Sequence, residues 1–589
     1  MVSEVRQLAR VPLSLLTRLR LVLLGHEDLA SIVFWAALVG VCGALASVAF
    51  REGLRLLEVL FTGQSNSLER AASGMVWWHR VLLPLCGAVI AGFILRSAGR
   101  VLASPRAVDY MEAVRVGDGN ISVRATLANS LSSLLTISSG GSIGREGPMV
   151  QLAAMLGSRI GRLGRAPIPR LRLMVACGGA AGIAAAYNAP ISGALFVSEI
   201  ILGGTAMESF GPLVVSSVVA SATVHRFLGY LPVYDVPKVQ FASNWELIFY
   251  VLLGVVLGHL APPFLALLDF AKSRFVRLKL PLPLQLGLGG LLVGVISIWV
   301  PQVWGNGFGA VGNILNAHLI GWALLAVLVA KLLATAATVG SGAVGGVFTP
   351  TLFLGCAIGA LFGGVVHALL PAVTSVPAAY ALVGMGGFLA ATTHAPLTSI
   401  LMLFEMTLDY DMVLPLMLAC VTAHYTAKVY RRGESIYHAA LQGRTQSSDY
   451  QLNTVAALIK PAGAVVSQAT TLKEMFENLP RRPLERAYVT NGDELVGWLD
   501  LRELLAAFRA NKVDGAATVA TVTRPATLVL TQEMSLGVAL DVFLRARANV
   551  LPVTGGEWRN NLLGEISRQD VLLAMQDRMV PEPGPSASA

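Results

Sequence analysis

This chain of 589 residues is 54% apolar and only 13% charged, whereas soluble globular proteins carry roughly 25% charged residues. Together with a mean hydropathy of +0.65, these proportions exclude an ordinary soluble, fibrous or disordered protein and indicate a membrane protein. The net charge is +9, but the basic residues flank apolar segments, so we expect a lipid bilayer and no nucleic acid as their partner.

Two kinds of apolar segment alternate between about residues 30 and 430. A helix needs about 20 residues to cross a bilayer, and the clearest spanning candidates are 31–50, 80–97, 247–268, 284–300, 320–338 and 411–430. Shorter segments interrupted by glycine lie at 146–160, 173–186, 191–203, 350–370, 380–392 and 397–408. Many of these are too short to span, and such interrupted segments predict a transport site built from broken helices.

The basic residues predict the orientation of the chain in the membrane. They precede the first apolar segment, fall between the shorter segments, and follow the last one. Cytoplasmic loops carry an excess of Lys and Arg. We therefore expect an integral protein of a bacterial inner (plasma) membrane, with residues 1–29 and the C-terminus in the cytoplasm. The residues concerned are Arg6, Arg10, Arg18, Arg20, Arg159, Arg162, Arg165, Arg170, Arg172, Lys272, Arg274, Arg277, Lys279, Lys428, Arg431 and Arg432.

The shorter segments repeat one pattern. The run GGAAGIAAAYNAP, which begins at Gly178, matches GMGGFLAATTHAP 206 residues later. Upstream, GSIGREGP, which begins at Gly141, matches GAVGGVFTP about 202 residues later, with one residue inserted before the proline. We therefore predict that residues 30–440 form an internally duplicated α-helical membrane domain, with a loop insertion between the two matching blocks.

The loops 141–148 and 342–350 hold equivalent places in the two repeats. A helix that begins inside a membrane directs unpaired N–H groups and about half a positive charge at its surroundings. Two such N-termini that face each other form an anion site without a fixed cation, and conduction requires that this binding be weak. We expect the pathway to be lined by backbone N–H groups at Gly144, Arg145, Gly147 and Gly346.

Glu146 is the acidic residue within this arrangement. Acidic residues inside membranes mark functional sites by default. Its carboxylate can occupy the anion site and leave when it is protonated, which would make it a gate, a proton carrier or both. The alternative is a structural acid that pairs with Arg145 or caps the helix.

GREGP at 144–148, GSGAVGGVFTP at 340–350, the NAP and HAP half-repeats and ESIYHAAL at 434–441 resemble the CLC family of chloride channels and chloride/proton exchangers. The resemblance covers residues 30–440 and implies an inverted-repeat fold and a homodimer with one pore in each subunit. It also implies that chloride or a similar small anion is bound by the N–H groups of Val347 and Phe348 and by the hydroxyl of Tyr437, with Glu146 as the gating residue.

The chain departs from the family at its first filter stretch. The family has GSGIP or a close variant where residues 104–108 read Ser-Pro-Arg-Ala-Val. Pro105 replaces the serine and removes its hydroxyl and N–H, and Arg106 replaces a glycine. Either Arg106 adds positive charge near the anion or it points to the cytoplasm, and Ser104 is a weaker candidate for the serine role. The sequence therefore does not decide which residues form the inner anion sites or which anion the protein selects.

A second departure concerns protons. Exchangers of the family usually carry an inner glutamate at the position of Ile200, and Glu199 matches an acid that is not the usual proton acceptor. Isoleucine cannot take a proton, so this position favours a passive, gated chloride channel over a proton-coupled exchanger. A third hypothesis is a nucleotide sensor with a vestigial pore. The chain shows no nucleophile–base or metal constellation, so we do not expect an enzyme.

Beyond residue 440 the composition becomes that of a soluble α/β domain. After a linker at 441–453, the segments 454–515 and 516–580 each carry a helix, a strand, a turn, a strand and a helix, and 581–589 is predicted to be disordered. The pair resembles CBS domains, which implies an adenine nucleotide as a candidate ligand. Its Gly-x-x-Ser-x-x-Asp contacts would be Ser567 and Asp570 in the second repeat, whereas the first repeat has acids there. The alternative is a structural, dimerising tail without a cofactor.

Overall fold

The computed structural model describes residues 29–63, 68–99, 109–115, 117–203, 207–229, 234, 243–430, 454–479, 486–492, 494–510, 513–525, 528–532, 534, 536–546, 548–555 and 561–576. The chain forms two compact units, Met1–Ala440 and Leu441–Ala589. The predicted N-terminal segment before Leu29, the linker 441–453 and the tail 581–589 lie outside the described residues.

The described part of the first unit is helical. Its helices are α1 Leu29–Thr62, α2 Leu68–Gly74, α3 Trp77–Ser97, α4 Tyr110–Arg115, α5 Val123–Ser138, α6 Glu146–Leu163, α7 Ile168–Tyr187, α8 Pro190–Phe196, α9 Met207–Leu228, α10 Glu246–Arg277, α11 Leu282–Trp299, α12 Phe308–Leu315, α13 Gly321–Gly340, α14 Phe348–Leu369, α15 Pro377–Thr393, α16 Pro396–Thr407 and α17 Val413–Tyr430. A π-helical turn, Val197–Ile201, extends α8, and a 3₁₀ turn, Pro301–Val303, follows α11.

Seven of the described helices are long and apolar enough to cross a membrane. Five of them, α1, α3, α10, α11 and α13, confirm the predicted spans. Of the other two, α14 with 22 residues agrees in length with the predicted segment 350–370, whereas α7 with 20 residues corrects the shorter predicted segment 173–186. Glycine inside these two helices does not break them, since it marks positions where another helix lies in close contact.

The two repeats have matching geometry. Gly140 and Gly342 follow α5 and α13 with φ of 106° and 89°, and Asn188 and His394 end α7 and α15 with left-handed φ of 54° and 59°. Gly140 and Gly342 are 202 positions apart, and so are Pro148 and Pro350. The extra residue that the sequence comparison predicted before Pro350 is therefore not needed. The later change of offset to 206 follows α14, which has 22 residues where α6 has 18.

The same contact packs both repeats. A Cβ added to Gly157 in α6 would lie 2.2 Å from the carbonyl oxygen of Met174 in α7, and one added to Gly359 in α14 would lie 2.1 Å from that of Tyr380 in α15. Helices in membranes associate where small residues let their backbones approach. This contact fixes α6 against α7 and α14 against α15.

Two carboxylates join the repeats at α8 and α16. Glu199 accepts hydrogen bonds from the backbone N–H and the hydroxyl of Thr398 at 2.8 and 2.7 Å, and from the N–H of Leu397 at 3.3 Å. Glu405 likewise accepts the N–H groups of Ile191 and Ser192 at 2.9 and 2.8 Å. Each repeat therefore caps the first turn of a helix in the other, where unpaired N–H groups need acceptors.

The second unit contains one mixed sheet. Its strands are β1 Val465–Ser467, β2 Arg486–Asn491, β3 Glu494–Asp500, β4 Arg524–Pro525, β5 Leu530–Thr531, β6 Val550–Gly555 and β7 Asn561–Ser567, in the order β1-β2-β3-β7-β6-β5 with β4 beside β3. Its helices are α18 Leu472–Asn478, α19 Leu501–Arg509, α20 Leu536–Ala546 and α21 Arg568–Gln576. The predicted order of helix, two strands and helix is confirmed in both halves.

Gly359 provides a test of this packing. We expect Gly359→Ala to lower the melting temperature of the detergent-solubilised protein, because its Cβ would overlap the Tyr380 carbonyl and overpacking costs about 1–3 kcal/mol. Gly364→Ala in the same helix is the control, since a Cβ there meets nothing within 4 Å. Equal melting temperatures for the two variants would contradict the packing argument.

Candidate functional site

Two glycine loops meet where α6 and α14 begin. The N–H of Gly144 donates to the carbonyl of Gly346 at 2.7 Å, and the N–H of Gly346 donates back to Gly144 at 2.8 Å. These glycines are 202 residues apart, so equivalent positions of the two repeats pair with each other. A Cβ on Gly144 would lie 2.8 Å from the Gly346 oxygen, which is why this approach requires glycine.

This pairing brings two helix N-termini together. Glu146 is the first residue of α6, and Phe348, at the equivalent position, is the first residue of α14. The N–H groups of Val347 and Phe348 donate to no acceptor within the described residues. The structure thus presents free N–H groups at the two positions for which the sequence predicted anion binding, in a region where the helix ends provide positive charge.

The carboxyl group of Glu146 lies at the N-terminus of the opposite helix. The hydroxyl of Thr349 donates to its Oε1, and the backbone N–H groups of Thr349 and of Glu146 itself also stabilise the carboxylate. The second oxygen, Oε2, is buried and has no hydrogen-bond partner among the described residues, and the residue is 3% exposed. The side chain therefore occupies a place that suits a small anion.

Sequence reasoning missed two residues of this site, Thr349 and Tyr187. The Tyr187 hydroxyl lies 3.2 Å from that of Thr349 and also interacts with the Glu146 carboxyl. Its ring packs against Phe348 with centroids 5.1 Å apart. Their only signal in the sequence is position, since Thr349 precedes the proline of one loop and Tyr187 precedes the NAP run.

Arg145 does not neutralise Glu146 through an ion pair. Its guanidinium stacks on Phe308, with Cζ 5.0 Å from the ring centroid, and no ion pair between Arg145 and Glu146 occurs among the described residues. Gly147 lies against the other loop, where an added Cβ would be 3.3 Å from the Gly346 nitrogen. The side of the site contributed by these loops therefore depends on backbone groups.

Four predicted site residues, Ser104, Pro105, Arg106 and Tyr437, lie outside the described residues, so their roles stay predictions. Ile200 is described, and it lies in the π-helical turn after α8 beside Glu199. Because both oxygens of Glu199 cap α16, this acid has a structural partner.

The predicted nucleotide contacts of the second unit have partners inside the protein. The Ser567 hydroxyl accepts the N–H of Asp570 at 3.0 Å, and Asp570 binds Lys460 at 2.9 Å. Partial burial raises the pKa of Asp570, but the hydrogen bonds from Lys460 and Ser567 outweigh it and leave the pKa below its usual value. In the first half, Glu503 pairs with Arg524 at 2.8 Å. Binding of an adenine nucleotide stays a prediction.

The fold and the paired loops define a membrane transport protein with an inverted repeat and a site built on helix N-termini. A family model described as voltage gated chloride channel matches residues 86–428. The putative chloride channel protein ClcB-like of Ralstonia nicotianae is 52% identical over 410 residues, which cover 69% of this chain and 95% of that protein. The voltage-gated ClC-type chloride channel ClcB of Salmonella typhimurium is 42% identical over 411 residues, which cover 69% and 98%.

Solved structures share the fold. A slow cyanobacterial Cl⁻/H⁺ antiporter superposes with a TM-score of 0.64 at 23% identity, over 71% of this chain and 99% of that one. A eukaryotic CLC transporter gives 0.60 at 18% identity, over 92% and 97%. The chain belongs to the CLC family of voltage-gated chloride channels and transporters, and it is an integral membrane protein of anion transport.

Thr349 provides a test of how the carboxyl group is held. Thr349→Val removes a hydrogen bond to a charged group, which is worth about 1.5–3 kcal/mol, so we expect the open fraction and chloride efflux from proteoliposomes to rise by about tenfold or more. Thr351→Val is the control, because that hydroxyl donates to the Val347 carbonyl at 2.6 Å. Unchanged efflux in Thr349→Val would show that the bond does not restrain Glu146.

Proposed function

We propose that the protein exchanges chloride or a similar small anion for protons, with Glu146 alternating between the anion site and a protonated, displaced position. The observation that carries this proposal is the Glu146 carboxyl group at the N-terminus of α14, bonded to Thr349, with one oxygen unpartnered. No adenine nucleotide or other cofactor is needed for this cycle.

Competition for the site couples the two substrates. A carboxylate and a chloride ion would both be stabilised at the N-terminus of α14, because the proposed anion ligands Val347 and Phe348 directly precede Thr349, which binds the Glu146 carboxyl. An entering anion therefore displaces Glu146. The displaced carboxylate loses the N–H groups that stabilise its charge, and taking up a proton then becomes more favourable. One group thereby serves as gate and proton carrier.

Comparison with the other interhelical carboxylates supports this role. Glu199 and Glu405 each use both oxygens on backbone N–H groups of the opposite repeat. Among the described residues Glu146 leaves Oε2 without a hydrogen-bond partner, so it differs from Glu199 and Glu405 in not being held at both oxygens. Two structures with this fold are described as a Cl⁻/H⁺ antiporter and a fluoride/proton antiporter, in agreement with exchange.

The second candidate function is the passive, gated channel favoured by the sequence. Ile200 cannot carry a proton, and its neighbour Glu199 is committed to capping α16. The relatives at 52% and 42% identity are named as chloride channels. In a channel, Glu146 would gate the pathway without coupled proton transport. A third candidate, the nucleotide sensor, has no supporting contact among the described residues.

Assembly and orientation are parts of the same proposal. We propose a homodimer with one pathway in each subunit, and cytoplasmic termini in a bacterial inner membrane. The orientation rests on the basic residues in the connection between α6 and α7 and at the end of α10. By the positive-inside rule, such basic connections face the cytoplasm.

Paired flux measurements decide between exchange and conduction. With purified protein in liposomes, we expect an outward chloride gradient to drive protons inward against their own gradient, with a fixed ratio of the two fluxes. Chloride movement at the same rate without any proton movement would refute exchange and establish the channel.

Glu146 variants test the proposed carrier. We expect Glu146→Gln, which mimics the protonated residue, to abolish proton flux and the pH dependence of chloride flux while chloride still moves. Glu146→Ala should leave the pathway permanently open, because the side chain that occupies it is removed. Glu52→Gln, at an exposed residue 4.0 Å from Arg55, is the matched control and should behave as the unmodified protein. Proton coupling retained in Glu146→Gln would show that another residue carries the proton.

A further inference from the structure

A second polar feature lies next to the glycine loops. A cavity of about 260 Å³ opens among α4, α5, α6 and the loop before α14. It reaches Gly147 and Gly345, which are the chain neighbours of Glu146 and Gly346. Its other lining residues include Asp109, Thr126, Asn129, Ser130 and Gln151. The cavity therefore extends to within one residue of the gating carboxylate along the chain.

The lining of this cavity indicates water. The hydroxyls of Thr126 and Ser130 are buried and have no hydrogen-bond partner in the part of the chain that the structure describes, and the two residues are only 1% and 5% exposed. They lie four residues apart and thus on one face of α5, and Ser133, also buried and unpartnered, continues that face. Buried polar groups are normally satisfied by protein or by ordered water, and a cavity of this volume holds several waters.

The lining carries one acidic side chain among its described residues. Asp109 is the one charged residue among the described residues that line the cavity, and its side chain is exposed there. Its carboxylate accepts the N–H of Met111 at the start of α4, while Gln151 accepts the N–H of Tyr110 at 3.0 Å. Glu112 is the charged neighbour that acts on Asp109 electrostatically. A carboxylate in the lining disfavours a nearby chloride ion and attracts protons.

We propose that this cavity is a water-filled proton entry to Glu146, with Asp109 exchanging protons at its opening. This inference rests on the proposed proton-coupled exchange. A hydronium ion gives its proton to the Asp109 carboxylate and becomes water. Asp109 then passes the proton to cavity water, which delivers it to the displaced Glu146 carboxylate. Only O–H bonds form and break, and Asp109 returns to its ionised form.

The first test separates proton flux from chloride flux. Asp109→Asn keeps an acceptor oxygen for the helix N-terminus but cannot exchange a proton, so we expect a fall of several-fold in the number of protons moved per chloride. Asp118→Asn is the matched control, because Asp118 is exposed and caps a turn at Asn120 outside the cavity. The unmodified ratio in Asp109→Asn would overturn the role of Asp109.

The second test measures water access without relying on transport. In a variant with all five native cysteines replaced, Ser130→Cys should react with a small cationic thiosulfonate reagent added to the proteoliposomes. Ser132→Cys, buried on the same helix but not lining the cavity, should not react. A Ser130→Cys that stays unmodified would overturn the aqueous cavity.

Together the two tests distinguish failure of the inference from failure of the proposed function. If the unmodified protein moves no protons, both the exchange and the proton entry are wrong, whatever the accessibility of Ser130→Cys. If it moves protons and Asp109→Asn keeps the full ratio, only the assignment of Asp109 fails. A lowered ratio with a reactive Ser130→Cys supports both.

Discussion

The rest of the site depends on the paired backbones of Gly144 and Gly346. Two hydrogen bonds of 2.7 and 2.8 Å hold the loops together, and they fix the start of α6 opposite the start of α14. In a bilayer every unpaired backbone group is costly, so two helices can begin at mid-depth only where something takes up their N–H groups. The Glu146 carboxyl accepts the N–H of Thr349 and its own N–H, and the proposed anion would accept those of Val347 and Phe348.

The same contact between a carboxylate and a helix N-terminus occurs three times between the repeats. Glu146, Glu199 and Glu405 each place a carboxylate at the N-terminus of a helix from the opposite repeat. The three acids differ in how their two oxygens are used among the described residues. Glu199 and Glu405 are satisfied at both oxygens, whereas Glu146 is satisfied at one. Helix N-termini thus act here both as ligands that stabilise the fold and as a site that can be vacated.

The sequence predicts the architecture better than the site. Hydropathy places five of the spanning helices, and the repeated NAP and HAP runs place the breaks. It underestimates the length of α7, because the same glycines that suggest a break instead permit close helix contact. It also places an insertion before Pro350 that the structure does not have, since Gly140 rather than Gly141 is equivalent to Gly342.

The missed residues show the limit in physical terms. Thr349 meets Glu146 across 203 positions of sequence, and Tyr187 meets Thr349 across 162. No local pattern encodes such contacts, because they arise only when the two repeats close on each other. The cavity beside α5 is equally invisible, since its serines and threonine are typical of any polar helix face.

The backbone pairing of the two glycine loops limits which substitutions this protein can accept. The pairing of Gly144 and Gly346 is made by main-chain atoms, so it cannot be adjusted by exchanging a side chain. Even an alanine at 144 would place its Cβ 2.0 Å from the carboxyl of Glu146. The two repeats can differ at their surfaces, but a Cβ at position 144 would also lie 2.8 Å from the Gly346 carbonyl oxygen, so this crossing requires glycine at 144. A different ion preference must therefore be engineered through the side chains that surround this backbone pairing.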